Sequence, residues 1–172
     1  ITTANTSDLI RLLCEEYGGR LRVTKVGPPA IAEALRGNPN SIIAVEESGK
    51  YIWPELLWYG DAAAATAKLL EIMNTDRRTL DELQSDLPKR RQVKCVLPCL
   101  DELKTKVLQR ALDDWKVRTG VEISTIDGVR VNFSNGSWVL VRASGTEPVL
   151  RCYAESENLN EAEELLHKMT ED

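Results

Sequence analysis

Trp138-Val-Leu-Val141-Arg142-Ala143-Ser144-Gly145-Thr146-Glu147-Pro148-Val149-Leu150-Arg151-Cys152-Tyr153 is the stretch from which the rest of the chain can be read. Two short β-prone apolar runs, Trp138 to Val141 and Val149 to Tyr153, flank seven residues that include Gly, Ser, Thr and Pro, so the middle must be a connection at a sheet end. Its chemistry exceeds that of a plain turn. Ser144 and Thr146 carry hydroxyl donors, Gly145 allows close approach of a ligand to the backbone, and successive N–H groups in such a turn can form an anion-binding nest. Arg142 brings a planar fork suited to two phosphate oxygens, and Arg151 on the returning run can bring a second. Taken alone, Ser-Gly-Thr between strands is usually an ordinary turn; the flanking arginines make an anion site an equal reading.

Outward from this loop, Gln92 to Leu97 reads as a strand and Asp101 to Arg118 as a long helix. Several strands follow, joined at Asp127-Gly128 and Ser134-Asn135-Gly136, which are hairpin signals. A final helix starts near Asn160. Helix and strands in that order predict an α+β domain with an antiparallel sheet. Upstream, Thr79-Leu-Asp-Glu82 is a capping box, and Asp86-Leu-Pro-Lys-Arg-Arg91 breaks the helical pattern, which places a domain boundary between residues 1–87 and 88–172.

The first part alternates helix and strand. Thr6 or Ser7 can cap a helix with Leu9, Ile10, Leu13 and Tyr17 on one face, ended by Gly18-Gly19. Arg20 to Val26 reads as a strand, Gly27-Pro28-Pro29 opens a short helix through Leu35, and Ser41 to Val45 is a second strand. Glu46 to Gly60 is expected to be a long irregular loop before a helix capped by Asp61 and running to about Met73. The spacing predicts an α/β sandwich-type domain with a mixed, partly parallel sheet whose first strand is shortened at a cut chain start. Glu46 and Ser48, two apart in extended chain, point to one side, where a carboxylate and a hydroxyl suit a polyol. A solvated acidic turn is the plainer alternative.

Composition narrows the function. The 172 residues are 42% hydrophobic, enough for packed cores without disulfides. A net charge of -5 with both signs interspersed leaves no basic stripe for nucleic acid. No run approaches the roughly 20 apolar residues of a membrane span. Cys14, Cys95, Cys99 and Cys152 are scattered without metal-ligand spacing, which favours reduced thiols and a cytoplasmic location. His167 is the single histidine, so no mechanism requiring two can be housed here.

Arg142-x-Ser144-Gly145-Thr146-Glu147-Pro148, followed by a strand and a C-terminal helix, resembles the phosphate-binding loop in the fourth domain of the α-D-phosphohexomutases, which include phosphomannomutases, phosphoglucomutases and phosphoglucosamine mutases. The family usually has Pro at the place of Ala143. Glu46-Glu47-Ser48-Gly49 resembles the sugar-binding loop of the third domain, Gly-Glu-x-Ser-Gly, with Val45 in place of the usual Gly and Lys50 in place of a basic residue that is frequently His. Thr24-Lys25-Val26-Gly27 is similar to a third-domain segment whose lysine reaches the active site. The three segments occur in family order across nearly the whole chain.

The resemblance implies that Arg142, Ser144, Gly145 and Thr146, with Arg151 beside them, hold a substrate phosphate, and that Glu46, Ser48 and Lys25 meet the sugar. Lys50 stands at a possible proton-transfer position. It also implies interconversion of hexose 1-phosphate and hexose 6-phosphate through a phosphoserine and a bisphosphate, with Mg2+. The family's serine loop, Thr-Ala-Ser-His-Asn-Pro, and metal loop, Asp-Gly-Asp-Gly-Asp-Arg, have no counterpart here. Serine and Mg2+ are therefore expected on N-terminal domains of the same protein, outside this chain, which alone should be inactive. A non-catalytic phosphosugar-binding or regulatory module is the alternative.

Overall fold

The structure is a computed structural model and describes residues 1–171. It divides into two compact units, Ile1–Lys89 and the part from Arg90 onward.

In the first unit the elements run β1 (Thr2–Thr3), α1 (Leu9–Glu16), β2 (Val23–Thr24), α2 (Pro28–Arg36), β3 (Ala44–Val45), β4 (Tyr51–Ile52), α3 (Ala62–Asp76) and α4 (Leu80–Ser85). The sheet order is β2-β1-β3-β4, with β1 parallel to both β2 and β3 and β4 antiparallel to β3. The mixed, partly parallel sheet is as the alternation of helix and strand predicts. Because β2 and β3 lie on opposite sides of β1, the chain reverses its winding at β1, and the carboxyl ends of these three strands form the kind of crevice where α/β folds place ligands.

Several local expectations give way to shorter pairing. Arg20 to Val26 contributes only Val23–Thr24 to the sheet, and Ser41 to Val45 only Ala44–Val45. The segment after Glu46 is not an irregular loop throughout: Tyr51–Ile52 pairs back on β3 as a hairpin. The turn between them needs Gly49, whose φ of 79° lies in the left-handed region. The cap residue of α1 is Asp8 rather than Thr6 or Ser7, although Ser7 Oγ does accept from the Leu9 N–H. Tyr17 ends α1 at 79% exposure, outside any apolar face. The caps of α3 and α4 form as the sequence predicts: Asp61 accepts from the Ala64 N–H, and Thr79 and Glu82 make a reciprocal capping box.

The second unit consists of β5 (Arg91–Pro98), α5 (Asp101–Lys116), β6 (Val121–Ser124), β7 (Val129–Phe133), β8 (Trp138–Ala143), β9 (Val149–Ser156) and α6 (Leu159–Glu171). Its sheet is wholly antiparallel, in the order β5-β9-β8-β7-β6, as predicted. Alternation along the strands splits their side chains between two faces. One face, with Val129, Val131, Val139, Val141, Leu150, Cys152 and Ala154, packs under α5 through Leu108, Ala111, Leu112 and Trp115, and under α6 through Leu165, Leu166 and Met169. The opposite face carries a second buried group, Trp138, Leu140 and Tyr153. There the Trp138 indole N–H donates to Glu155 Oε1 at 3.1 Å, and the Arg130 guanidinium lies 3.9 Å from the ring centroid. All four cysteines are free thiols. Cys95 and Cys152 face each other across β5 and β9, and burial pushes the Cys152 thiol up to about 12.

Candidate functional site: two loops at strand ends

The loop between β8 and β9 is built from the sheet outward. Arg142 follows Trp138 and Leu140 on their face of β8, and the β8–β9 register sets it directly opposite Arg151. Like charges in directly opposed positions destabilise a sheet unless they are neutralised. Here each has a carboxylate: Arg142 Nε donates to Asp127 Oδ2 at 2.9 Å, and Arg151 Nη2 donates to Glu147. The Asp127 bond uses the Nε of Arg142 and does not require its Nη groups.

Asp127 owes its position to its neighbour. Gly128, with φ of 83°, sits so close to β8 that a Cβ there would lie 2.1 Å from the Val141 carbonyl oxygen and 2.7 Å from Arg142 Cα. Only glycine lets this turn press against Arg142. The sequence marks Asp127-Gly128 as a turn; that it braces an arginine of the next hairpin comes from the structure.

Within the loop, Ser144 is 6% exposed. Its Oγ accepts from the Glu147 N–H at 3.2 Å and weakly from the Thr146 N–H at 3.5 Å, so its own hydroxyl proton remains available to an acceptor. The Ser144 N–H donates to the Val149 carbonyl, and the Cys99 N–H to the Pro148 carbonyl, which anchors the loop at both ends. Gly145 and Thr146 are exposed, and a Cβ on Gly145 would meet nothing within 4 Å. Among the described residues the Gly145 N–H has no hydrogen-bond partner. The loop thus carries a backbone donor without a partner among the described residues, an exposed Thr146 hydroxyl and a buried Ser144 hydroxyl, with Arg142 just upstream, groups whose chemistry suits a tetrahedral oxyanion.

One residue of this cradle lies outside any sequence expectation. Lys104 of α5 is 8% exposed, and its ammonium donates to the carbonyls of Ser144 at 2.7 Å and Glu147 at 2.6 Å. It also pairs with Asp101 Oδ1 at 2.6 Å. By sequence it is one more lysine on a charged helix; the partners lie 40 and 43 positions away.

In the first unit, Glu46 follows β3 and Lys25 follows β2, so both stand at the carboxyl edge of the parallel strands with β1 between them. Glu46 is 6% exposed, and Lys50 Nζ lies 3.2 Å from its Oε2. The Glu46 N–H donates to the Lys50 carbonyl and the Gly49 N–H to the Glu46 carbonyl, which closes the turn. Ser48 at its tip and Lys25 are exposed. Gly60 is close-packed on Lys50: a Cβ there would lie 2.8 Å from Lys50 Cβ. Lys50 also lies 5.7 Å from the Tyr59 ring centroid. Beneath this edge is a polar cluster that the sequence does not advertise, in which Thr3 Oγ1 bonds to Asn5 Oδ1 at 2.9 Å and to Thr6 Oγ1 at 2.8 Å, all buried. Among the described residues no three His, Cys, Asp or Glu side chains are grouped to hold a metal ion.

Comparison with known proteins decides the family. Residues 1–91 match the model for phosphoglucomutase/phosphomannomutase, alpha/beta/alpha domain III, and residues 60–172 match that for the phosphoglucomutase/phosphomannomutase C-terminal domain. The chain belongs to the phosphoglucomutase/phosphomannomutase family. It is 37% identical over 166 residues to a phosphoglucomutase/phosphomannomutase of Thermococcus kodakarensis, covering 96% of this chain and 36% of that protein. A phosphoglucosamine mutase of Methanococcus vannielii is 32% identical over 167 residues, covering 97% of this chain and 37% of the relative. The crystal structure of a phosphoglucomutase/phosphomannomutase family protein from Burkholderia thailandensis superposes with a TM-score of 0.77 at 25% identity, over 99% of this chain and 35% of that one. The phosphohexomutase-type chain described here therefore spans little more than a third of the length of these relatives. None of its helices among the described residues is long and apolar enough to cross a membrane.

Proposed function

We propose that this chain is the substrate-binding C-terminal part of a phosphohexomutase that interconverts hexose 1-phosphates and hexose 6-phosphates. Residues 1–87 serve as the sugar-recognition domain and residues 88–172 as the phosphate-binding domain. Arg142, Ser144, Gly145 and Thr146 hold the phosphate, with Arg151 as a second cation. Glu46, Ser48 and Lys25 meet sugar hydroxyls, and Lys50 is the candidate proton-transfer group. The phosphoserine and its Mg2+ belong to N-terminal domains of the same cytoplasmic protein, and the metal assists phosphoryl transfer there.

The observation that carries this reading is the loop 144–146, in which the exposed Gly145 N–H has no partner among the described residues, Ser144 and Thr146 flank it with hydroxyls, and Arg142 stands two residues upstream near the end of β8. Phosphoryl transfer is mainly positioning and charge stabilisation, and a substrate that reorients in its site needs a grip that accepts a phosphate from either end of the sugar. A fixed cradle for a tetrahedral dianion and a small polar turn for the ring answer those two needs.

NMR titration of the 15N-labelled chain with glucose 6-phosphate tests it. The amides of Gly145 and Thr146 should shift saturably, and no glucose 1-phosphate should appear. Unmoved loop amides at millimolar ligand would remove the phosphate site, and turnover by the chain alone would remove the division of labour. A protein whose upstream sequence lacked the serine and metal loops would instead be a recognition module.

A further inference from the structure

We infer that Lys104 is a positioning residue of the phosphate loop: from behind the loop it pins the Ser144 and Glu147 carbonyls inward and thereby turns the Gly145 N–H outward, toward a bound phosphoryl group. This deepens the phosphate-site reading above and rests on it.

The argument is geometric. In a trans peptide the C=O and the N–H point in opposite directions. The Ser144 carbonyl and the Gly145 N–H belong to one peptide unit, so the bond that draws the Ser144 oxygen to Lys104 Nζ, 2.7 Å long, aims the Gly145 N–H at the open side of the loop. Gly145 is exposed, and among the described residues its N–H has no hydrogen-bond partner. The Glu147 carbonyl, 2.6 Å from the same ammonium and also accepting from the Val149 N–H at 2.8 Å, is kept from facing an anion, where its oxygen would repel.

An ammonium has three donors and no acceptor. Lys104 has three acceptors within 2.7 Å, the two carbonyls and Asp101 Oδ1, and so is fully matched although only 8% exposed. Hydrogen bonding at a carbonyl also polarises its peptide unit and makes the opposite N–H a stronger donor. Lys104 thus acts on the ligand without touching it.

The test titrates inorganic phosphate into the chain, read at the Gly145 amide and at the Lys104 ammonium resonance, which should be visible because buried, bonded ammonium protons exchange slowly. Wild type should show both signals moving with one saturation curve. Lys104→Met keeps the length of the side chain but has no donors; it should weaken phosphate binding about tenfold or more, the order expected for losing one hydrogen bond to a charged group. Lys104→Arg, which retains charge and donors, should recover part of that loss. Phosphate affinity within twofold of wild type in Lys104→Met would overturn the inference and leave the phosphate site standing. A wild-type chain whose Gly145 amide ignores phosphate would instead overturn the site, and the inference with it. Should Lys104→Met fail to fold, wild type still decides: an ammonium resonance unmoved at saturating phosphate rules out the coupling.

Discussion

The two candidate loops differ most in what holds them. The 46–50 turn hangs between β3 and β4, each two residues long, while the 142–148 loop hangs between β8 and β9, six and eight residues long. The first unit is knit by a core of Ile31, Leu35, Ala44 and Ile52, and neither α1 nor α3 has a fully buried residue. The second has a sheet packed on one face by two helices and a buried aromatic group on the other. On the proposed function, the difference would match the ligand chemistry. An oxyanion is best held by donors fixed in advance, which requires a rigid frame behind them. Sugar hydroxyls can be met by side chains such as Glu46 and Ser48, which tolerate a lighter support.

The sharpest way to break this comparison is to cut each core. Trp138 is fully buried, bonded to Glu155 and stacked under Arg130. Trp138→Ala should cost the second unit about 3–5 kcal/mol, the range for deleting a buried aromatic. Ile31→Ala in the first unit should cost about 2–3 kcal/mol, toward the lower end for such truncations, because a small cluster can collapse onto the gap. Denaturant melts read at amides of each unit would separate the two losses. Equal losses would mean that the short-stranded unit is as tightly packed as the long-stranded one.

A smaller effect sharpens the ligand side. Arg142→Ala should weaken phosphate affinity by about 1.5–3 kcal/mol, the range for a hydrogen bond to a charged group. Amide shifts in β5, which does not pair with β8, should stay in place, because that ladder does not depend on the Arg142 side chain. Calorimetric or NMR titration measures it; undiminished affinity would reduce Arg142 to a brace for Asp127.

The same contrast explains what the sequence disclosed. The second unit was legible nearly strand by strand, since runs such as Gln92 to Leu97 and Val149 to Tyr153 are long enough to show β-prone residues between turn signals, and Asp127-Gly128 and Ser134-Asn135-Gly136 are strong punctuation. Two-residue strands such as β4 have no period to detect, and Tyr51-Ile52 is followed at once by Trp53-Pro54, so the hairpin after Glu46 passed for a loop. Arg142, Ser144 and Gly145 were visible because their types cluster in sequence. Lys104 was not, because its meaning lies in carbonyls about 40 residues away, and a lysine on a helix looks the same whether it faces water or a loop. Nor does sequence reveal that Arg142 and Arg151 stand opposite each other, which only the register fixes.

The smallest expected effect tests whether the first unit depends on its trailing helix. Glu82 Oε2 accepts from the Thr79 N–H at 2.7 Å and from its hydroxyl at 2.8 Å, and these bonds, the backbone one foremost, hold its carboxyl below the ordinary value near 4.5. A carboxylate with a lowered pKa in the folded state contributes stability that is complete above the unfolded value and is lost as pH falls through the folded one. The start of α4 should therefore loosen below about pH 4.5, seen as titrating amide shifts at Glu82 and Leu83. Glu82→Gln should abolish that titration, since an amide can still close the capping box but carries no ionisable proton. If β1 and β3 keep their amide shifts through the same range, the cap is a local device and the sheet stands on its own small core. If they move with α4, the short strands draw support from a helix whose residues are almost all exposed, and the first unit is more cooperative than its packing suggests.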